Sequence, residues 1–93
     1  VVGYIGNGSS SDEISWLRDK AGDSKLIWTP GVNLHVKSGE LGQRYGHPFD
    51  AIMAGADAVI VGSGIYKSQD RISTAKAYAK VTWDALLERE TDV

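Results

Sequence analysis

Two glycines flank a serine directly after an apolar run in the last third of the chain. The run at 57–62 predicts a buried strand, and Gly62, Ser63 and Gly64 precede a new helical pattern. Glycines at such a turn let backbone N–H groups approach an oxyanion without an obstructing Cβ. A following helical turn adds partial positive charge suited to phosphate. The spacing is equally compatible with a tight turn that binds nothing, and both interpretations stay open.

A second group of polar residues lies in a long loop at about 32–46. Its residues Gln43, Arg44 and Tyr45 offer hydrogen-bond donors suited to a phosphate or to the edge of a nucleobase. Loops of this length inside a compact domain are usually functional or mobile. A solvated polar loop is the alternative interpretation.

The remaining polar residues give no reason to predict a metal or an acid–base site. His35 and His47 lack the spacing of metal ligands, and the chain has no cysteine. The carboxylates fall on predicted helix surfaces, except Asp57, which opens a strand and is expected to be structural. We expect three aromatic residues to be packing residues and not stacking platforms: Trp16, Trp28 and Trp83.

The elements that position these residues follow the order β-α-β-α-β-α. Strands are predicted at 1–6, 25–29 and 57–62. Ser10 predicts the start of the first helix and Gly22 its end, Pro48 begins the second, and Asp70 caps the third. The third strand is continuously apolar, which indicates burial on both faces. The third helix has a predicted apolar stripe of Ile72, Ala75, Ala79, Trp83 and Leu86.

This order predicts an α/β fold with a parallel sheet and right-handed crossovers. A small open doubly wound sheet and part of a (β/α)8 barrel both fit. A complete barrel needs roughly 250 residues, whereas the chain has 93. Three strands alone would leave two bare sheet edges. We therefore expect residues 1–93 to be part of one larger domain whose N-terminal portion is absent.

Taken together, several segments resemble the C-terminal third of the orotidine 5′-phosphate decarboxylase family. The resemblance covers essentially the whole chain, in order, and is closest to the eukaryotic-type branch. The first strand is similar to the sixth barrel strand of the family, and the last helix is similar to its last helix. The segments that carry the resemblance are Thr29–Val32, Leu41–Tyr45 and Ala56–Tyr66.

The resemblance implies the last three units of a (β/α)8 TIM barrel, usually homodimeric and cytoplasmic. Such an enzyme converts orotidine 5′-monophosphate into uridine 5′-monophosphate in pyrimidine biosynthesis without metal or organic cofactor. Pro30 would lie against the pyrimidine, and Gln43 and Tyr45 would sit on a loop that grips the phosphate. Gly62 and Ser63 would complete the phosphate site.

The chain departs from the family pattern at two points. The family's catalytic Asp-x-Lys-x-x-Asp motif has no counterpart here, so no catalytic residue is assigned to this chain. The family also has arginine where this chain has Ser63, and a serine offers one hydroxyl and no charge. Arg44 stands where the eukaryotic-type motif usually has glutamine, and we hypothesise that it partly replaces the missing charge.

The composition is that of an ordinary globular protein. The net charge of −2 argues against a nucleic-acid or anionic-membrane partner, and no apolar run is long enough to span a bilayer. Two further functions stay open: a non-catalytic protein that binds nucleotide phosphates, and a structural half-barrel fragment. Membership of a bifunctional uridine monophosphate synthase is equally open.

Overall fold

The computed structural model describes residues 2–36 and 45–91, which form alternating strands and helices. Three strands form one parallel sheet in the order β1-β2-β3. The predicted α/β class with a parallel sheet is thereby confirmed. The elements are β1 (Gly3–Ile5), α1 (Ser11–Ala21), β2 (Leu26–Thr29), α2 (Pro48–Ala54), β3 (Ala58–Val59), α3 (Ser63–Tyr66) and α4 (Arg71–Thr91).

The helix boundaries follow the local signals in the sequence. The Ser10 hydroxyl accepts a hydrogen bond of 3.2 Å from the backbone N–H of Glu13, which caps α1. Gly22 ends α1 with φ of 75°, in the left-handed region that glycine adopts without strain. Pro48 is the first residue of α2, and Asp70 accepts hydrogen bonds at the start of α4. These four predictions are confirmed.

The hydrophobic core lies between the sheet and the helices on one of its faces. Ile14 of α1, Ile27 of β2 and Ile52 of α2 are fully buried and belong to one cluster. Burial of each such side chain contributes about 1.5–3 kcal/mol. Among the described residues, no helix combines the length and apolarity needed to cross a bilayer.

The predicted apolar stripe of α4 is wrong by about one residue. Tyr78 and Ala85 are buried and Leu86 is partly buried. The inner face also includes Arg89, which donates hydrogen bonds to the carbonyls of α2 and its C-terminal turn. A prediction based on apolar periodicity alone gave no weight to a buried tyrosine and a partly buried arginine that both have hydrogen-bond partners. Four residues of the predicted stripe are exposed: Ile72, Ala75, Ala79 and Trp83.

One face of the sheet is apolar and uncovered. Ile5, Leu26 and Trp28 are 66%, 48% and 48% exposed, and Ile60 is 42% exposed. The register pairs Ile5 with Trp28 and Trp28 with Ala58, so these residues share one side of the sheet. The prediction that the third strand is buried on both faces is therefore wrong for the described residues, because helices cover only one.

The third strand is also shorter than its predicted span of 57–62. Formal pairing covers Ala58–Val59, although hydrogen bonds from Asp57 N to Ile27 O and from Ile60 N to Thr29 O extend the ladder at both ends. The three aromatic residues expected to be packing residues are exposed within this chain, so no packing role is seen for them among the described residues: Trp16, Trp28 and Trp83.

An ion cluster joins the N-terminal ends of the strands to two helices. Asp57 Oδ2 accepts hydrogen bonds from Arg18 Nη2 and from the buried Ile27 N. Asp57 Oδ1 lies 3.6 Å from Arg89 Nη2. The Arg18 guanidinium also donates to the carbonyls of Gly55, at the end of α2, and of two residues after α1. These contacts give Asp57 the structural role that its position predicts.

Candidate functional site

The predicted site residues lie beyond the C-terminal ends of two adjacent strands. Pro30 directly follows β2, and Gly62 follows β3 after a short connection. Because β2 and β3 are parallel neighbours, their C-terminal ends meet at the same edge of the sheet. The structure therefore brings Pro30 and the Gly62–Gly64 turn to one edge. Gln43 and Arg44 lie outside the described residues, whereas Tyr45 is described and partly buried.

The two ends of the loop that follows β2 are joined to each other. Val32 and Gly46 form a parallel β-bridge, and Asn33 N donates a hydrogen bond of 2.9 Å to Gly46 O. The loop after β1 also contacts this bridge, because Gly8 N donates to Pro30 O at 2.9 Å. A Cβ on Gly46 would lie 2.1 Å from Gly8 O, so only glycine fits there. Three backbone segments thus meet without an intervening side chain.

The Gly62–Gly64 turn forms the helical turn that its sequence predicts. The N–H groups of Ile65 and Tyr66 donate to Gly62 O at 3.0 and 3.1 Å. The N–H groups at the start of such a turn have no acceptor within it and are available to other acceptors. Ser63 adds one hydroxyl and no charge. This arrangement can donate several hydrogen bonds to an anion.

The two glycines of the turn differ in how strictly the structure requires them. A Cβ on Gly62 would meet its nearest neighbour, the ring of Tyr66, at an ordinary 3.7 Å. A Cβ on Gly64 would lie only 2.6 Å from the hydroxyl oxygen of Tyr78. Packing therefore explains why residue 64 is a glycine, whereas there is room for a Cβ at residue 62.

Tyr78 lies close to both the segment after β2 and the turn after β3. The sequence alone did not identify it as a residue of the candidate site. Its side chain is 3% exposed, and its hydroxyl accepts a hydrogen bond of 3.1 Å from Leu34 N. A buried tyrosine hydroxyl usually has such a partner. The available signal was its spacing from Thr82 and Ala85, four and seven residues on, which places all three on one helix face.

The two histidines have local structural roles. The Nδ1 atom of His47 accepts a hydrogen bond of 3.1 Å from Phe49 N and caps α2. His35 is exposed, and its backbone N–H donates to Asn33 Oδ1 at 2.8 Å. Both residues lie between β2 and α2. Within residues 2–36 and 45–91, no three His, Cys, Asp or Glu side chains gather where a metal ion could bind.

Two ionisable groups on the outer part of α4 have shifted pKa values. The backbone N–H of Ser73, followed by its hydroxyl, stabilises the carboxylate of Asp70 and holds its pKa below the ordinary 3.8. The hydrogen bond to Asp84 raises the pKa of Lys80 above its ordinary value. Both groups are exposed, and their shifts arise from helix capping and an i,i+4 pair.

Comparison with known proteins gives one consistent family. A profile of the orotidine 5′-phosphate decarboxylase / HUMPS family matches residues 2–78. The orotidine 5′-phosphate decarboxylase of Coccidioides immitis is 46% identical over 90 residues, which are 96% of this chain and 32% of that protein. The Aspergillus oryzae enzyme of the same name is 38% identical over 92 residues, with the same coverage. The chain thus spans about a third of these curated relatives, and both are fungal, in agreement with the resemblance to the eukaryotic-type branch.

Solved structures of the same name share the fold. The orotidine 5′-phosphate decarboxylase of Pyrococcus horikoshii matches with a TM-score of 0.67 and 31% identity, over 87% of this chain and 35% of that one. The orotidine 5′-monophosphate decarboxylase of Sulfolobus solfataricus matches with a TM-score of 0.70 and 26% identity, over 91% and 36%. The predicted similarity to part of a TIM barrel is confirmed, because about a third of each barrel is matched.

Proposed function

The chain belongs to the orotidine 5′-phosphate decarboxylase family, and we propose that it forms the C-terminal third of a barrel that converts orotidine 5′-monophosphate into uridine 5′-monophosphate. The family match over residues 2–78 carries this proposal. Pyrimidine biosynthesis would be the pathway that it serves. The remainder of the barrel would come from sequence outside this chain.

The exposed apolar surfaces support a larger barrel. The uncovered sheet face carries Ile5, Leu26, Trp28 and Ile60, and such a face needs a covering layer. Strands β1 and β3 each have one neighbour in the sheet, so each has an edge on which another strand can pair. In a closed barrel the inner face is filled by side chains from alternating strands. Barrel closure would bury this surface and pair both edges.

A second apolar surface lies beside β3. The groove there is lined by Val59 and Val61 on the sheet side and by Tyr78, Trp83 and Leu86 of α4. In a (β/α)8 barrel, the last strand pairs with the first. We propose that the first strand of the barrel and its neighbouring segments occupy the β3 edge and this groove, which would cover Trp83.

The Gly62–Gly64 turn would bind the 5′-phosphate in this barrel, and Pro30 would contact the pyrimidine. Their placement at one strand edge supports both roles. Tyr45 and Gln43 would contact the phosphate from the loop after β2. Ser63 would provide a weaker contact than the arginine of the family, because a charged hydrogen bond contributes about 1.5–3 kcal/mol. Arg44 would supply part of the missing charge.

The decarboxylation step itself would depend on residues outside this chain. The sequence has no Asp-x-Lys-x-x-Asp motif, and this chain would instead hold the non-reacting end of the substrate. Binding energy from such remote groups can stabilise the transition state when the site closes around it. The proposed reaction uses no metal or organic cofactor. We also propose a cytoplasmic homodimer, as the family resemblance implies.

A non-catalytic nucleotide-binding protein is the second candidate function. The observation in its favour is Ser63, which removes a permanent charge from the proposed phosphate site. Both candidates predict binding of uridine 5′-monophosphate, but only the enzyme releases carbon dioxide.

The decisive experiment uses the full-length protein, purified and assayed with a metal chelator present. Release of carbon dioxide from carboxyl-labelled orotidine 5′-monophosphate is measured alongside binding of uridine 5′-monophosphate by calorimetry. We expect turnover that the chelator does not reduce. The isolated 93-residue chain is the control and should release none. Nucleotide binding without any release of carbon dioxide would refute the enzymatic function and support the non-catalytic binding protein.

A further inference from the structure

The hydroxyl of Tyr78 is a buried polar group placed between two functional segments. Leu34 N, four residues after Pro30, donates to it at 3.1 Å. On its other side the backbone of Gly64 approaches so closely that an added Cβ would lie 2.6 Å from the hydroxyl oxygen and 3.3 Å from the ring carbon that bears it. One atom of α4 is therefore close to both the segment after β2 and the turn after β3.

The helix holds this hydroxyl firmly in place. Tyr78 is 3% exposed, so its ring has little freedom to rotate away. One turn further along α4, Thr82 Oγ1 donates to Tyr78 O at 2.9 Å, within the helix itself. The segment that Tyr78 contacts is held as well, because the adjacent Asn33 N donates to Gly46 O at 2.9 Å. Neither neighbour of the hydroxyl is a mobile chain end.

We propose that Tyr78 is a positioning residue for the 5′-phosphate of the substrate. Its hydroxyl holds the Gly62–Gly64 turn and the backbone at Leu34 at the separation that phosphate binding requires. This inference rests on the proposed function, in which that turn binds the phosphate. Tyr78 acts through these two segments and is not assigned a contact with the reacting atoms.

The geometry separates the role of the hydroxyl from that of the ring. Tyr78→Phe keeps the buried ring and removes the oxygen that accepts from Leu34 N and limits the approach of Gly64. Thr82→Val is the matched control: it removes a hydroxyl from the same helix face, and among the described residues this hydroxyl donates to two carbonyls of α4 itself. Both substitutions preserve the size of the side chain closely.

The test compares two substrates in the full-length enzyme: orotidine 5′-monophosphate and orotidine, which lacks the phosphate. For Tyr78→Phe we expect KM for the nucleotide to rise about three- to tenfold, the loss expected for one neutral hydrogen bond. The kcat/KM for orotidine should stay within about twofold of the parent value. Thr82→Val should leave both substrates unchanged.

Two results would overturn the inference while the proposed function stands. One is an unchanged KM for the nucleotide in Tyr78→Phe. The other is an equal loss with both substrates, which would indicate a general packing defect. A parent protein that releases no carbon dioxide from the nucleotide would refute the proposed function, and the inference with it.

A double substitution tests the contact with Gly64 without any activity assay. Gly64→Ala places a methyl group against the Tyr78 hydroxyl and should markedly lower the urea midpoint of unfolding. In the Tyr78→Phe background the oxygen is gone, and the same Gly64→Ala change should lower the midpoint less. Equal shifts in the two backgrounds would show that the hydroxyl does not control the position of the turn.

Discussion

Replacement of Asp57 by alanine should destabilise the protein more than the removal of any other charged side chain in the described residues. The carboxylate accepts from Arg18 and from Ile27 N at 2.8 Å, and it lies 3.6 Å from Arg89. Alanine would leave the N–H of a fully buried residue without its acceptor, at a cost of about 1–3 kcal/mol.

The loss of the ion pairs with Arg18 and Arg89 adds a smaller amount to the cost in unfolding free energy. The side chains of Arg18 and Arg89 are 20% and 25% exposed, and both keep hydrogen bonds to backbone carbonyls. We therefore discount the 3–5 kcal/mol typical of a broken buried pair to about 1–2 kcal/mol. Together the two effects predict a loss of about 2–5 kcal/mol of unfolding free energy. Asp57→Asn keeps an oxygen for Ile27 N and should lose about 1–2 kcal/mol.

Urea unfolding of the full-length protein, followed by far-ultraviolet circular dichroism, measures these differences. Asp84→Ala is the matched control, because it breaks an i,i+4 pair with Lys80 that is exposed to solvent and screened by it, and it should therefore destabilise the protein much less than Asp57→Ala. If Asp57→Ala and Asp84→Ala destabilise equally, the cluster does not hold the strands and helices together. An Asp57→Asn loss as large as that of alanine would show that charge, and not the acceptor for Ile27 N, dominates.

Three further predictions concern the turn and the helix ends. Ser63→Arg should tighten binding of uridine 5′-monophosphate about ten- to a hundredfold in a titration, and unchanged affinity would remove Ser63 from the phosphate site. The pKa of Asp70 is lowered in the folded protein, so its contribution to stability is present above about pH 4 and disappears as the pH falls through the folded-state pKa. Asp70→Asn should therefore weaken the pH dependence of urea unfolding below about pH 4. An unchanged profile would contradict the capping bonds from Ser73. Gly55 has φ of 128°, and a Cβ there would lie 2.9 Å from a side-chain atom of α1, whereas a Cβ on Gly22 would have no atom within 4 Å. Gly55→Ala should therefore lower the urea midpoint of unfolding more than Gly22→Ala. The reverse order would refute this steric argument.

Local signals in the sequence predicted the boundaries of the helices well. Ser10, Gly22, Pro48 and Asp70 act through hydrogen bonds and backbone angles set within a few residues, and the structure has all four as expected. The parallel sheet followed from the alternation of strands and helices, which restricts the topology to few choices. These features depend on nearby residues or on chain order alone.

Predictions that depended on distant contacts were less successful. The inner face of α4 includes Tyr78 and Arg89, whose partners lie 44 and 33 to 37 residues away in sequence. No local pattern reveals such partners, so the apolar count selected Trp83 for the inner face of α4 in place of Tyr78 and Arg89. Trp28 was expected to be a packing residue, but its side of the sheet has no cover among the described residues. The resemblance to the family, and not periodicity, led to the specific prediction that Ser63 and its neighbours bind the phosphate of a nucleotide, and this stays a prediction.

The bridge between Val32 and Gly46 has a consequence for how this protein can change over time. The two residues are already held side by side, so an insertion between them does not have to separate β2 from α2. A doubling of loop length then costs only about 0.6 kcal/mol in closure entropy. We expect the intervening sequence to tolerate insertion and replacement, provided that Gly8 and Gly46 are kept, because a Cβ at either position would meet backbone atoms. The segment between the two residues can therefore change in length while the strands and helices on either side of it stay in place.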